Sequence, residues 1–403
     1  MATGDVVPIS TTTFQTNALN SMEALEAAMS KTQEQLSTGN KIQTAADDPT
    51  GMAQVNQLNM ELSASQQYVT NGNLASANLS LETQALSDAT NLLQSARDLA
   101  VEANDAALTA SQRQDIATQL AQQLQQLVSI GNRTDSSGNF LFSGYASSTQ
   151  PFSQNGNSVS YAGADQVNQV QISENQRLSA GDTGSSVFMN VPAGNGTFTT
   201  ATGAANTGTA SIGPGTVTNP SQWVPDTYTV TFTDPTDYTV TNGGGATVTS
   251  GTYDPTTGGT ISFNGIQVTL SGNPASNDTF TVAPAGQSSA FATLSGLITT
   301  LNSTTPNAGQ TATQISQAIE QIDGAINNLG NVSAAVGGRV NAVTSSQSSA
   351  QTRQTDLKSS ISDISSTDYA AATTQLSGEE VALQAAEESY ASLAKLSLFN
   401  YVS

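Results

Sequence analysis

Paired carboxylates are the side chains of this sequence best placed to do chemistry. Adjacent pairs stand at Asp47-Asp48, Glu379-Glu380 and Glu387-Glu388, and Asp234 and Asp237 lie three residues apart. Two carboxylates can act as general acid and base when both face one substrate, and a group of them can bind Ca²⁺. Adjacent residues in a helix cap rarely converge on a substrate, however, and glutamate pairs within a helix are typical of a solvated face. The Asp-x-Asp-x-Asp-Gly pattern of a calcium loop is absent, so these residues predict no active site.

The composition excludes several other kinds of site. The 403 residues include 31 acidic and 10 basic ones, for a net charge of -21, and neither His nor Cys occurs. Without these two residue types the chain cannot form a disulfide, a thiolate or imidazole catalytic centre, or the usual transition-metal site. The negative charge disfavours nucleic-acid binding, and no apolar run is long enough to predict membrane insertion. We therefore expect a non-enzyme without cofactor or metal. Since Met1–Ser10 lacks basic and apolar regions, we also expect no cleaved signal.

A corner between two helices, within Gln35–Met52, is the element around which the chain is organised. Gly39-Asn40 is typical of a helix end, because both residues tolerate the left-handed backbone conformation that closes a last turn. Asp48-Pro49 is typical of a helix start, because the carboxylate can accept hydrogen bonds from the first-turn N–H groups and proline fits the first helical position. Asp47 would add negative charge at the positive end of the helix dipole. The stretch therefore predicts a helix–turn–helix corner.

Apolar residues recur at seven-residue spacing near both ends of the chain. The first helical pattern runs from about Phe14 to Leu36, and the last one starts near residues 366–368. Such heptad seams are typical either of an internal core stripe or of a coiled coil between molecules. Two seams at opposite ends of one chain most simply pair with each other. The seam residues are Met22, Leu25, Met29 and Leu36 at the N-terminal end and Leu376, Leu383, Tyr390 and Leu393 at the C-terminal end.

The middle of the chain loses its helical periodicity. Helical patterns from Pro49 to about Asn104, and after the capping box Thr109–Gln112, give way near residue 146 to a segment rich in Thr, Gly, Asn, Ser and Val. Short alternating runs, Ser186–Val191 among them, are separated by turn residues and predict an all-β insert. Within it, Ala193–Thr216 is so rich in Gly, Thr, Ala and Asn that it indicates a loose loop or a poorly ordered segment.

These patterns predict an α+β fold. Long terminal helices would pair as a coiled-coil-like body, and an all-β domain would be inserted between them. We expect five segments, namely an N-terminal export and assembly helix with the corner, the first half of a helical domain, the β-rich outer insert, the second half of the helical domain and a C-terminal assembly helix. Their ranges are 1–48, 49–145, 146–285, 286–360 and 361–403.

The corner resembles the signature of the bacterial flagellin family, in which Gln/Arg-Leu-Ser-Ser-Gly-x-x-Ile precedes Asp-Asp. The matching residues here are Gln35–Ile42 and Asp47-Asp48. Within that family the chain is most similar to the junction proteins of the hook-associated protein 3 type. Asp48-Pro49, the turn Asn139–Tyr145 and the tail Leu396–Tyr401 carry this likeness and are unlike filament flagellins.

The resemblance covers roughly residues 9–152 and 290–402, and parts of the β insert also look like the family's middle domain. One departure stands at the front, where Ile9-Ser10-Thr11 follows an extension, Met1–Pro8, that the family usually lacks.

This resemblance implies a non-catalytic structural subunit of the bacterial flagellum, exported by the type III apparatus and located outside the cell. The implied partners are further copies in a homo-oligomeric ring, hook-associated protein 1, flagellin and an export chaperone on the C-terminal helix. Nucleic acid, membrane insertion and cofactors are not implied. The predicted assembly interface consists of Phe14, Met22, Leu25, Met29, Leu36, Asp47, Asp48, Pro49, Leu376, Leu383, Tyr390, Leu393, Leu398 and Phe399.

Two alternative functions stay open at this point. The first is a filament flagellin, which would have the same fold but would polymerise without limit. The second is a secreted acidic adhesin or carbohydrate-active protein, whose β insert would bind a ligand.

Overall fold

The computed structural model describes residues 11–303 and 307–395. The chain divides into two compact units. We call Met1–Val69 with Ser348–Ser403 the terminal unit, and Thr70–Gln347 the central unit.

Long helices dominate both ends of the chain. The third helix opens with the predicted capping box, in which the Thr109 Oγ1 accepts from the Gln112 backbone N–H at 3.3 Å and the Gln112 Oε1 accepts from the Thr109 N–H at 2.9 Å. The first and last helices pack against each other, which confirms the predicted pairing of the terminal helices. The helices are α1 (Thr11–Thr38), α2 (Pro49–Ala103), α3 (Ala110–Gly131), α4 (Ala290–Leu301), α5 (Ala308–Ser365) and α6 (Tyr369–Lys395).

The strands lie between α3 and α4, which confirms the predicted α+β fold with an all-β insert. They are β1 (Phe152–Asn155), β2 (Ser158–Tyr161), β3 (Gln169–Ser173), β4 (Gln176–Ser179), β5 (Val191–Pro192), β6 (Phe198–Thr202), β7 (Ser211–Ile212), β8 (Thr216–Val217), β9 (Tyr228–Phe232), β10 (Asp237–Thr241), β11 (Thr247–Thr252), β12 (Gly259–Phe263), β13 (Ile266–Ser271), β14 (Thr279–Pro284) and β15 (Gln287–Ser288).

Two antiparallel sheets form a β sandwich within the central unit. One sheet has the strand order β11-β10-β9-β14-β6, and the other has the order β12-β13-β7, with β8 also pairing with β13. Side chains alternate between core and surface along the inner strands, as in β9, where Tyr228, Val230 and Phe232 are buried and the threonines between them are not. Residues of both sheets, including Phe280 of β14 and Val268 of β13, share one apolar core.

The glycine- and threonine-rich stretch Ala193–Thr216 is not the loose loop that its composition predicts. It contains β6, which pairs with β14 in a register that places Ala201 opposite Thr281. Phe198 at the start of β6 is fully buried in the sandwich core. Pairing with a strand about eighty residues away satisfies the backbone, and one aromatic side chain anchors a segment that is otherwise almost without large apolar groups.

A second core joins the helices of the central unit to the first strands of the insert. Leu79, Leu86 and Leu93 of α2 stand seven residues apart and are fully buried. A cluster of aromatic rings extends this core, and Phe188 lies at its centre, 5.4 Å from the Phe142 ring centroid and between 5 and 6 Å from two others. The predicted strand at Ser186–Val191 was wrong, because Ser185–Met189 form a π-helical turn that directs Phe188 into the core.

Candidate assembly site

The terminal unit is built on an antiparallel pair of helices, α1 and α6. At one end of the pair the Thr367 N–H donates to the Gly39 carbonyl at 2.9 Å, and the Lys41 N–H donates to the Ser365 carbonyl at 2.8 Å. Further along, the Thr32 hydroxyl donates to the Glu379 Oε1 at 3.3 Å. Contacts therefore move forward in α6 as they move back in α1, so the helices run in opposite directions.

The predicted seam residues lie on this helix pair but are only partly covered. Met22, Leu25, Met29 and Leu36 on α1 are half-buried, and so are Leu376, Leu383 and Tyr390 on α6. Phe14 is 48% exposed. Two helices alone can cover only one side of each other, and the remaining apolar surface is free to contact another molecule. The side chain of Leu393 and the residues Leu398 and Phe399, also predicted at this interface, lie outside the described residues.

The predicted corner forms as expected at its helix ends. Gly39 has a φ of 72°, the left-handed conformation that closes α1. Asp48 caps α2, since its Oδ1 accepts from the N–H groups of Thr50 at 3.1 Å and Gly51 at 2.9 Å. Pro49 is the first residue of α2. The buried side chain of Ile42 anchors the loop between the two helices.

Asp47 has a different part in the corner from the one predicted. Instead of facing the start of α2, its Oδ2 accepts from the backbone N–H groups of Gln43 at 3.1 Å and Thr44 at 2.8 Å, and its Oδ1 pairs with the Lys31 ammonium at 2.7 Å. The Lys31 partner first, and then these amides, hold the pKa of Asp47 well below its usual range. Asp47 therefore ties the loop back to α1.

Several exposed apolar residues of the terminal unit were not predicted. Met60 on α2 is 68% exposed and Val381 on α6 is 67% exposed, with Leu19 and Tyr369 also exposed. Met60, Val381 and Leu19 lie outside the heptad seam, so its seven-residue spacing could not reveal them. Tyr369 stands seven residues before Leu376 and therefore continues the C-terminal seam. A large apolar side chain between charged or small neighbours, as in Glu380-Val381-Ala382, is the sequence signal that could have found Val381.

Of the other carboxylate pairs singled out in the sequence, one forms a turn and one lies exposed on a helix. The Asp234 Oδ1 accepts from the N–H groups of Thr236 at 2.8 Å and Asp237 at 3.0 Å, as in a turn. Glu387 and Glu388 are exposed on α6. Within residues 11–303 and 307–395 no three acidic side chains come close enough to hold a metal ion. No helix in the same ranges has the length and apolar character needed to cross a membrane.

Family models match three parts of the chain. The bacterial flagellin N-terminal helical region matches residues 9–147, which include α1, the corner and α2. The bacterial flagellin C-terminal helical region matches residues 319–402, which include α6. The D2-like domain of flagellar hook-associated protein 1 matches residues 201–284, which make up most of the β sandwich.

A crystal structure of the flagellar junction protein FlgL from Legionella pneumophila is 31% identical to this chain. The match covers 72% of this chain and 99% of that one, with a TM-score of 0.66. The chain belongs to the FlgL family. FlgL from Xanthomonas campestris is 28% identical, with 76% of this chain and 99% of that one covered and a TM-score of 0.70.

Two sequence relatives of the FlgL family carry the name flagellar hook-associated protein 3. The Escherichia coli protein is 26% identical over 163 residues, which are 40% of this chain and 51% of the relative. The Salmonella typhimurium protein is 28% identical over 183 residues, which are 45% of this chain and 57% of the relative. The chain therefore spans about half the length of these curated relatives.

Proposed function

We propose that the chain is a non-catalytic structural subunit of the bacterial flagellum that joins hook-associated protein 1 to the flagellin filament. Its membership of the FlgL family supports this role, as does the name of the Legionella relative, a flagellar junction protein. The observation that carries the proposal is the state of the terminal unit. This unit presents paired helices whose apolar seam is only half-buried within one chain.

The shortage of buried apolar residues explains why the terminal unit needs neighbours. Among its described residues, the buried apolar ones are Ile42, Leu357 and Ala372. Most helical stability in proteins comes from burying an apolar face, at about 25 cal/mol for each Å² removed from water. Packing against further copies would cover Leu25, Leu383 and their neighbours and so link assembly to helix stability.

The corner gives this surface a defined geometry. Backbone hydrogen bonds donated by the N–H groups of Lys41 and Thr367 join the N-terminal and C-terminal segments, and the ion pair of Asp47 ties the loop to α1. Asp48 then starts α2 at a set position. We assign assembly to the segments 1–48 and 361–403 and to the predicted interface residues, with the β sandwich on the outside of the assembly.

Export and assembly then follow one route. The chain leaves the cell through the type III apparatus, with a chaperone on the C-terminal helix, and forms a homo-oligomeric ring outside. Hook-associated protein 1 contacts one side of the ring and flagellin contacts the other.

Immunogold labelling of isolated flagella tests this function. An antibody against the β sandwich, residues 201–284, should label a single band at the boundary between hook and filament. Flagella from a strain without this chain serve as the control for the antibody. Label along the whole filament would make the chain a filament flagellin instead, and the absence of label from flagella would favour a non-flagellar role such as an adhesin.

A further inference from the structure

One acidic side chain of the central unit is buried without a full set of partners. Glu82 lies in α2 and is 2% exposed. Its Oε1 accepts from the Asp182 backbone N–H at 3.0 Å, but within residues 11–303 and 307–395 no hydrogen-bond donor reaches its Oε2. A buried carboxylate oxygen without a donor is costly, because it has lost its water and gained nothing in return.

A second carboxylate and one guanidinium lie next to Glu82. The Asp182 carboxylate is its neighbour and interacts with it electrostatically. Asp182 also forms an ion pair with Arg339 of α5, and Arg339 Nη1 donates to the Gly181 carbonyl at 3.1 Å. The Arg339 and Asp182 side chains are only 14% and 25% exposed. Two ionised carboxylates would therefore share a single buried positive charge.

Among the described residues that line the space beside Glu82, none carries a positive charge. A cavity of about 150 Å³ adjoins it, with Asn78, Asn139 and Asn168 in its wall. Besides Glu82 and Asp182, the described wall includes the charged residue Asp135. The Asp135 Oδ1 already accepts from the N–H groups of Ser137 and Asn139, at 2.8 and 2.9 Å. The charged groups that face Glu82 are thus Asp182 from the loop after β4, Arg339 from α5 and Asp135 across the cavity.

We propose that Glu82 and Asp182 share one proton, and that this carboxyl–carboxylate pair, held by Arg339, latches the loop Ala180–Gly184 to α2 and α5. The proton turns the Glu82 Oε2 from an unsatisfied acceptor into a donor toward the Asp182 carboxylate. It also removes one of the two negative charges that face Arg339. The loop leads directly into Ser185–Met189, whose Phe188 fills the aromatic core, so the latch fixes the entry to that core.

The latch responds to pH in the neutral range. Burial, and then the charge of Asp182, raise the pKa of Glu82 to about 8, against an ordinary value of 4.5. When the loop opens and Glu82 becomes hydrated, it loses the proton that the closed form retains. Rising pH therefore favours the form in which the loop is open. This effect ends above the pKa that Glu82 has in the closed form. The chain has no histidine that could titrate over the same range.

Hydrogen exchange of the whole chain tests the latch. The opening equilibrium constant for the Asp182 and Gly184 amides, after correction for intrinsic exchange, should rise about tenfold per pH unit between pH 6 and 8 and level off above pH 8. The Glu82→Gln variant keeps an acceptor for the Asp182 N–H and carries a permanent donor for the Asp182 carboxylate. Its opening constant should not change with pH.

Two matched variants separate this effect from other carboxylates. Glu102→Gln removes an exposed carboxylate from the same helix and should leave the pH dependence unchanged. Burial and the nearby Asp323 raise the pKa of Glu320 to about 7, so the series is repeated with Glu320→Gln present. The same pH dependence in Glu82→Gln as in the parent chain would overturn the proposal.

Carboxyl ¹³C NMR on the unaltered chain tests the protonation of Glu82 directly, even if a variant fails to fold. The Glu82 signal should titrate with a midpoint near pH 8, and Asp182→Asn should lower that midpoint by removing the neighbouring charge. A Glu82 midpoint near pH 4.5 would mean that no proton is shared, and the latch would be abandoned.

Discussion

The central and terminal units use apolar residues in opposite ways. In the central unit Phe142, Phe188 and Leu86 are completely removed from solvent, and the seven-residue stripe of α2 forms part of a continuous core. In the terminal unit a similar heptad pattern leaves Leu25 and Leu383 half-exposed.

The difference shows that the heptad spacing alone does not determine burial. A seam becomes a core only where several elements converge on it, as α2, α3, α4 and the first strands do in the central unit. The paired helices α1 and α6 have fewer neighbours within one chain. The central unit therefore has the core of a self-sufficient domain, and the terminal unit has the partly exposed apolar surface on which the proposed assembly depends.

Replacing one large side chain in each unit by alanine should give the largest difference in the stability of the central unit. Phe188→Ala removes a buried ring that packs against three others and should lower the free energy of unfolding of the central unit by about 3–5 kcal/mol. Leu383→Ala in the half-exposed seam should lower it by less than about 0.5 kcal/mol, because Leu383 belongs to the terminal unit. Urea unfolding followed by circular dichroism and by hydrogen exchange in each unit measures both. If both substitutions lowered the free energy of unfolding of the central unit equally, the division of the chain into two units would be contradicted.

The two units should also respond to pH in opposite directions. In the central unit the folded-state pKa values of Glu82 and Glu320 are raised, to about 8 and about 7, so their contribution is full below pH 4.5 and declines as the pH rises toward 8. In the terminal unit the pKa of Asp47 is lowered, so its contribution is present above pH 3.8 and is lost as the pH falls below that value.

Hydrogen exchange measured from pH 3 to pH 9 checks these opposite trends. Protection of the corner should fall first in acid, and protection around Glu82 should fall as the pH rises from 6 to 8. Lys31→Met, which removes the partner of Asp47, should weaken the acid response of the corner and leave the central unit unchanged. A common pH trend in both units would be inconsistent with these assignments.

A smaller effect should follow from removing the cap of α2. Asp48→Ala leaves the N–H groups of Thr50 and Gly51 without their acceptor and should cost about 1 kcal/mol at the corner. Asp98→Ala, at an exposed position inside the same helix, is the matched control and should cause no loss. Exchange rates of the Thr50 and Gly51 amides report the change. If both variants give the same rates, the cap does not stabilise the start of α2.

Local patterns in the sequence predicted the features that depend on nearby residues. The Gly39 helix end, the Asp48 cap and the capping box at Thr109 each involve residues within four positions of one another. The pairing of α1 with α6 was also predictable, because both seams had the same spacing and needed a partner.

Features that depend on distant residues could not be predicted in this way. Phe198 is buried because β6 pairs with β14, and composition alone indicated a loose loop there. Glu82, Asp182 and Arg339 lie at least 100 residues apart in the chain, and only the fold brings them together. The ion pair of Asp47 with Lys31 was not predicted either, because Lys31 lies back in α1 and is not a near neighbour of Asp47 in the sequence.

The assembly role of the terminal unit is tested most directly by Val381→Asp. Val381 is 67% exposed on α6, so a charge there should leave the helix pair folded but obstruct an apolar contact with a neighbouring molecule. Gln384→Asp adds the same charge at an exposed polar position of the same helix and is the control. Each variant is expressed in a strain that lacks the chain, and the flagella are counted by electron microscopy, with secretion into the medium measured alongside. We predict that Val381→Asp is secreted but builds few filaments, whereas Gln384→Asp builds a normal number. A normal number of filaments with Val381→Asp would contradict the assignment of this surface to assembly.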